Sequence, residues 1–506
     1  MESLEHVPVE AMDPHRFESV LAPAQYARLL DLINNGARAL RGRVIWNVNS
    51  TAKGGGVVEL LRPLLGYSRG AGVDARWSVI GGAPQFFELT KRLHNRLHGF
   101  DGDGGALSDH ERAIYEGTLA GAAGAFAKLV RRQDVVILHD PQTAGLIPAV
   151  RATGAALIWR CHVGLDHPNR RARSAWDFLR PYVIGADAYV FSRKTFAWEG
   201  LDPAKIVVIQ PTVDAFNPKN AEQTREQSLA ILARAGVVPH DAVGDPIFVR
   251  SDGTPGRVDR RAQMVEVAPL RPGDRLVVQV SRWDRLKDPL GVITGFAEHI
   301  APHVDGHLVL AGPSTESVAD DPEGAGILAD VNAAWHALSD EVRRRVHLAS
   351  LPMADIEENA AIVNALQRHA TVVVQKSLAE GFGLTVAEAM WKSRPVVGSR
   401  VGGIQDQIVN GESGVLISDP HDLAEYGSAV TMLLTDPGRA EEIGSAAHVR
   451  IRDAFLGPYS LMRYFGLIHR LITARQAADG AEPTRGAWEL AASGGLGQLL
   501  DNPSTA

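Results

Sequence analysis

Apolar positions along the chain group into two alternating patterns. Short, nearly continuous apolar runs flanked by polar or glycine-rich turns read as buried strands, and longer runs with apolar positions three and four apart read as helices. The spacing of Tyr26, Leu29, Leu30, Ile33 and Ala37 predicts a helix over 23–40, with Pro23 suited to its first turn. A strand over 43–49, a glycine loop and a helix over 57–65 follow, then a strand over 74–80 and helices over 86–98 and 109–131. Apolar runs at 134–139, 156–162, 188–192 and 206–211 predict further strands, the first three ending in polar residues. A second series has strands over 275–280, 307–310, 346–348, 370–374 and 395–398 with helices between them, then helices over 422–434, 439–455 and 459–475. Residues 1–20 carry no clear period. Residues 217–274 read as a polar connector and surface decoration, and 476–506, rich in Ala, Gly and Ser, as a disordered tail.

Two series of alternating strands and helices predict an α/β protein with two Rossmann-like, doubly wound parallel-sheet domains facing a cleft. The expected division is 1–215, 216–455, a final helix over 456–475 that is a candidate to cross back to the first domain, and the tail. The length of 506 residues suits two domains of about 200 residues each.

Composition narrows the class. Hydrophobic content of 45% and charged content of 22% are those of a globular protein, and a net charge of -7 argues against a nucleic-acid partner. No apolar run is long enough for a membrane span, and the acidic start lacks the basic and apolar regions of a signal peptide. The lone Cys161 excludes an internal disulfide framework, so a cytoplasmic location is expected.

In open parallel sheets ligands bind beyond the carboxyl ends of the strands, and several polar groups fall there. His139 and Asp140 end one predicted strand of the first domain and His162 another. Lys53, Gly54, Gly55 and Gly56 lie between a strand and a helix, where backbone N–H groups can meet phosphates or sugar hydroxyls. The loop has neither the dinucleotide-binding nor the Walker spacing. In the second domain Arg282 offers a fork of donors and Lys287 a point charge, a combination suited to a diphosphate.

The segment EGFGLTVAE at 380–388 follows another strand. Gly381 and Gly383 let the backbone approach a ligand. A helix starting near Leu384 would place Glu380 in the loop and Glu388 about one turn in. The N–H groups of such a helix start favour an anion. Cys161, His162 and His167 lack a fourth ligand for zinc, and Asp101 and Asp103 begin a calcium-like loop that Ala106 and Arg112 break.

Taken together these motifs resemble the retaining two-domain (GT-B) glycosyltransferases of family 4. More narrowly, NSTAKGGGV at 49–57, FFELTK at 86–91, His94, Asn95, HDPQ at 139–142, RCH at 160–162, QVSRWD at 279–284, Lys287, Asp288 and EGFGLTVAE at 380–388 resemble the glycosyltransferring trehalose synthases. The resemblance spans roughly residues 40–470 and implies trehalose made reversibly from UDP- or ADP-glucose and glucose. It implies that Arg282 and Lys287 neutralise the donor diphosphate and that Glu388 holds the ribose. Glu380 and the backbone of Gly381, Phe382, Gly383 and Leu384 would hold the donor glucose. His162 would contact the donor sugar, Asp140 would lie near the acceptor, and the loop of Gly54, Gly55 and Gly56 would close over both.

The partners implied are small-molecule substrates and a second copy of the chain as a homodimer. No metal or cofactor is implied. Two alternatives stay open: a trehalose phosphorylase, with free phosphate in place of the diphosphate, and a catalytically silent sugar- or nucleotide-binding protein.

Overall fold

The computed structural model describes residues 4–52, 56–239, 244–315 and 322–478. The expectations for Gly54, Gly55 and most of the tail lie outside these residues. The chain divides into two compact units, one from the amino terminus to Thr212 and again from Gly457, the other Val213–Leu456.

The first unit is built on a seven-stranded sheet of β1 (Leu4–Val7), β2 (Val44–Asn49), β3 (Asp74–Ile80), β4 (Val135–His139), β5 (Ala156–Cys161), β6 (Ala188–Phe191) and β7 (Ile206–Val208). Its order is β1-β3-β2-β4-β5-β6-β7, and every pairing is parallel except the edge pair of β1 with β3. Strands β2, β4 and β5 are buried throughout, which is why they read as continuous apolar runs rather than alternating ones. Helices Gly56–Gly70, Pro84–Leu97, Asp109–Leu129 and Arg170–Val183 connect or cover them. Helix Pro23–Ala39 precedes β2, and the final helix, Gly457–Ala478, lies against it. A Cβ on Gly36 would stand 2.8 Å from the Phe465 ring, so the two helices meet at a side chain that is missing.

The second unit contains β8 (Ile247–Val249), β9 (Pro255–Arg257), β10 (Gln263–Val265), β11 (Leu276–Val280), β12 (His307–Pro313), β13 (Val346–Leu351), β14 (Val372–Gln375), β15 (Val396–Ser399) and β16 (Val415–Ile417). β8 and β9 form an antiparallel pair of their own. The rest form a seven-stranded sheet, β10-β13-β12-β11-β14-β15-β16, again parallel except at one edge, where β10 runs against β13.

Four expectations change. Residues 217–274 are more than a connector: helix Arg225–Arg234 packs Ala230, Ile231, Leu232 and Ala233 into the unit beside helix Ile356–His369, and β10 extends the main sheet. The helix is short and its apolar residues run consecutively over 229–233 rather than at helical spacing, so its apolar face contrasts little with its polar one. Residues 1–20 supply β1 and a 3-10 turn, Pro14–Ser19, that buries Phe17. Strand β16 was also missed; at three residues it is too short to carry a period. The final helix runs to Ala478, beyond the predicted start of the tail.

Candidate active site

In the first unit the polar groups at the ends of β2, β4 and β5 form one hydrogen-bonded row. β2 is the neighbour of β4, and β4 of β5, so Asn47, His139 and His162 come together from distant parts of the sequence. His139 Nδ1 lies 3.0 Å from His162 Nε2, and His139 Nε2 lies 3.1 Å from Asn47 Oδ1. Two neutral imidazoles satisfy this row, His162 Nε2–H donating to His139 and His139 Nε2–H to Asn47. Burial, helped by the Arg160 charge, pushes His139 down to about 3 and His162 well below its usual value. Arg160, itself buried, donates to the Ile209 carbonyl at 2.7 Å and to Ser192 Oγ at 2.9 Å.

Asp140 follows β4 with φ +64°, a conformation few residues other than glycine adopt. Its Oδ1 accepts the His162 backbone N–H at 2.7 Å. Burial nevertheless raises the Asp140 carboxyl to about 7. Asp140 and His162 are thus brought together, with two partners: Asn47, which sequence reasoning missed, and Arg160, which it quoted within a motif but gave no role. Strand adjacency, which one sequence does not display, was the missing signal. Gly56 is exposed at the start of helix Gly56–Gly70.

In the second unit the loops after β11 and β14 are joined. The Leu378 N–H donates to the Leu286 carbonyl at 2.8 Å, and the Lys287 ammonium is ion-paired to Glu380. Both side chains are largely buried, at 17% and 11% exposure. Glu380 Oε1 also accepts the Gly381 N–H at 3.2 Å. Gly383, at φ +86°, turns the chain into helix Leu384–Trp391, and Phe382 is buried beside it.

Glu388 lies one turn into that helix, only 3% exposed, with Lys219 Nζ at 3.6 Å. One turn further on, buried Lys392 donates to the Glu388 carbonyl at 3.0 Å, to Gln367 and to Asn220. Burial holds the Lys392 ammonium well below its usual pKa, with Glu388 opposing the shift. The Arg282 side chain is 58% exposed and pairs with Asp284 at 3.0 Å.

Lys219, Lys376 and the pair Gly402 and Gly403 were also missed. Lys376, buried, is ion-paired to Asp288, whose own side chain caps helix Pro289–His299. A Cβ on Gly402 would collide with the Glu380 carbonyl at 1.6 Å, and one on Gly403 would lie 2.6 Å from Phe382 Cα. The glycines therefore let a neighbouring loop lie directly on the acid loop. Their side-by-side occurrence was the available sequence signal. Asp101 and Asp103, the calcium-like pair, are ion-paired to Arg171 and Arg92.

Comparison with known proteins places this geometry. Residues 47–198 match the family model for the trehalose synthase N-terminal domain, and 261–450 that for glycosyl transferases group 1. A trehalose synthase of Rubrobacter xylanophilus is 34% identical over 464 residues, 90% of this chain and 96% of that protein. A trehalose phosphorylase of Grifola frondosa is more distant, 25% identical over 80% of this chain and 54% of its own length. The solved α,α-trehalose-phosphate synthase (UDP-forming) of Burkholderia xenovorans matches with a TM-score of 0.62 at 14% identity, covering 85% of this chain and 100% of that one.

The class is that of the GT-B glycosyltransferases. Within it, the chain belongs to the trehalose synthase family.

Proposed function

We propose that the protein is a retaining hexosyltransferase that forms trehalose reversibly from a nucleoside diphosphate glucose, UDP- or ADP-glucose, and glucose. The observation that carries this reading is the buried Lys287–Glu380 ion pair at the ends of the parallel strands of the second unit, with Glu388 a turn into the adjoining helix. An ammonium has three donors. With one engaged by Glu380, Lys287 keeps two for phosphate oxygens, while the exposed Arg282 supplies a second cation. Departure of the nucleoside diphosphate leaves an oxocarbenium-like glucose, and positive charge held at the leaving group lowers that barrier.

Glu380 and the N–H groups of Gly381 to Leu384 would hold the donor glucose, Glu388 the ribose, His162 the donor sugar and Asp140 the acceptor. The acceptor hydroxyl enters on the face the diphosphate leaves, which retains the α configuration. Positioning and electrostatics do the chemistry, with no protein nucleophile, metal or cofactor.

A cytoplasmic location belongs to the same reading, supported by a lone, buried cysteine. Among the described residues no helix is long and apolar enough to cross a membrane.

The test is incubation with trehalose plus UDP, ADP or inorganic phosphate, with product identification. Nucleoside diphosphate glucose is expected. Glucose 1-phosphate formed with phosphate alone would replace this reading by a phosphorylase, the activity named for the Grifola frondosa relative. Tight nucleotide binding without turnover would point to a silent binding protein.

A further inference from the structure

The first unit has a cavity at the opposite end of its sheet from Asp140 and His162. It lies where β2, β3 and β4 begin, about 380 Å³ in volume, lined by Arg43, Trp46, Asp74, Arg76, Leu129 and Arg131 among others. β2 runs from Val44 at this end to Asn49 at the other, so the two sites are separated by about 17 Å of strand. Two of the three guanidiniums are already matched. Arg76 makes a two-pronged pair with Asp74 at 2.9 and 2.8 Å, and Arg131 pairs with buried Asp134 at 2.9 Å.

Arg43 differs. Among the described residues it donates one hydrogen bond, to the Gln133 carbonyl at 2.5 Å, and no carboxylate accepts from it. Beside it Trp46, 2% exposed, forms part of the wall. The Arg76 guanidinium lies over its ring at 5.2 Å.

We propose that this cavity is a binding site for a small phosphorylated molecule. A phosphoryl dianion is a multiple acceptor. Arg43, with donors to spare, can take it as a fork, and Arg76 and Arg131 add positive potential at the wall. The volume leaves room beyond the phosphoryl group for a body the size of a hexose. The assignment is independent of the proposed transferase reaction, since it uses none of that site's residues.

Calorimetric titration of the full chain with glucose 6-phosphate and, separately, inorganic phosphate tests it. Saturable one-to-one binding is expected, weakened roughly tenfold or more by Arg43→Gln and by Arg76→Gln, each of which removes a guanidinium from the wall. Equal binding of both anions would make the phosphoryl group alone the recognised part. A clear preference for the ester would make the sugar part of the ligand. Absence of binding, or binding unchanged in both variants, would overturn the proposal. Circular dichroism of each variant separates lost binding from lost fold.

Discussion

The two units place polar groups at the same end of the same kind of sheet, yet treat charge in opposite ways. In the first, burial suppresses it: His139 and His162 stay neutral, and Asp140 holds its proton up to about 7. In the second, acids and bases are set against one another, Lys287 with Glu380, Lys376 with Asp288 and Glu388 near Lys219, and burial works against the charge of the neighbouring Lys392. Neutral, hydrogen-bonded groups suit the reading of sugar hydroxyls, which are themselves uncharged. Paired charges suit a diphosphate, whose arrival can be met by a cation already in place.

If this division of labour is right, the largest effect comes from removing a charge in the second unit. Lys287→Ala should lower turnover by at least about two decades. A rate close to that of the parent protein would remove the diphosphate assignment. Next is Gly402→Ala. It sets a methyl against the Glu380 carbonyl at a position with φ +48°, so the loop must shift, at about 2 kcal/mol of stability with turnover falling in parallel. Thermal melts and initial rates check it, and an unchanged rate would show that the two loops are not coupled.

Asn47→Ala, in the first unit, leaves His139 Nε2–H without its acceptor and should cost about 1–2 kcal/mol in denaturant unfolding. The smallest effect is on pH dependence. His139 and His162 take up protons near 6.5 when unfolded but only well below that when folded, so their contribution is present above 6.5 and lost as the pH falls. Asp140 works the other way. Its folded pKa of about 7 exceeds the usual 3.8, so its contribution is present below 3.8 and lost as the pH rises to 7. Between about 4 and 6.5, two histidines outweigh one aspartate, and stability should fall on acidification. His139→Gln should flatten the slope and Asp140→Asn steepen it. A flat profile in the parent protein would mean that burial does not hold these groups neutral.

The same contrast explains what could be read from the sequence. The central strands of both sheets were legible because parallel strands there are apolar on both faces, and Asp74–Ile80 coincides with the predicted 74–80; the edge strands β1, β10 and β16 were not. The acid loop was legible because its parts are consecutive: Glu380, the glycines and Glu388 lie within a single strand–loop–helix passage. The row from Asn47 through His139 to His162 was not, since it exists only by virtue of strand order. Lys219 escaped for a related reason: it lies in a stretch whose polar composition concealed a buried helix six residues further on. Sequence spacing brought Arg282 and Lys287 together as one cationic pair, but the structure gives them different partners and different burial.

The final helix carries a consequence for biosynthesis. Gly457–Ala478 packs on helix Pro23–Ala39 through Phe465 and Gly36, so the first unit receives its last element only after all 244 residues from Val213 to Leu456 have been made. At about 5–20 residues per second, the nascent first unit waits roughly 12–50 s with that face uncovered. Val213 and Leu456 pair side by side, the Val213 N–H donating to the Phe455 carbonyl at 2.8 Å, so the second unit starts and ends at one point. It is an insertion into a polypeptide that must hold open a docking place for its own end. A ribosome stalled before residue 457 would display an incomplete first unit, a natural client for a chaperone.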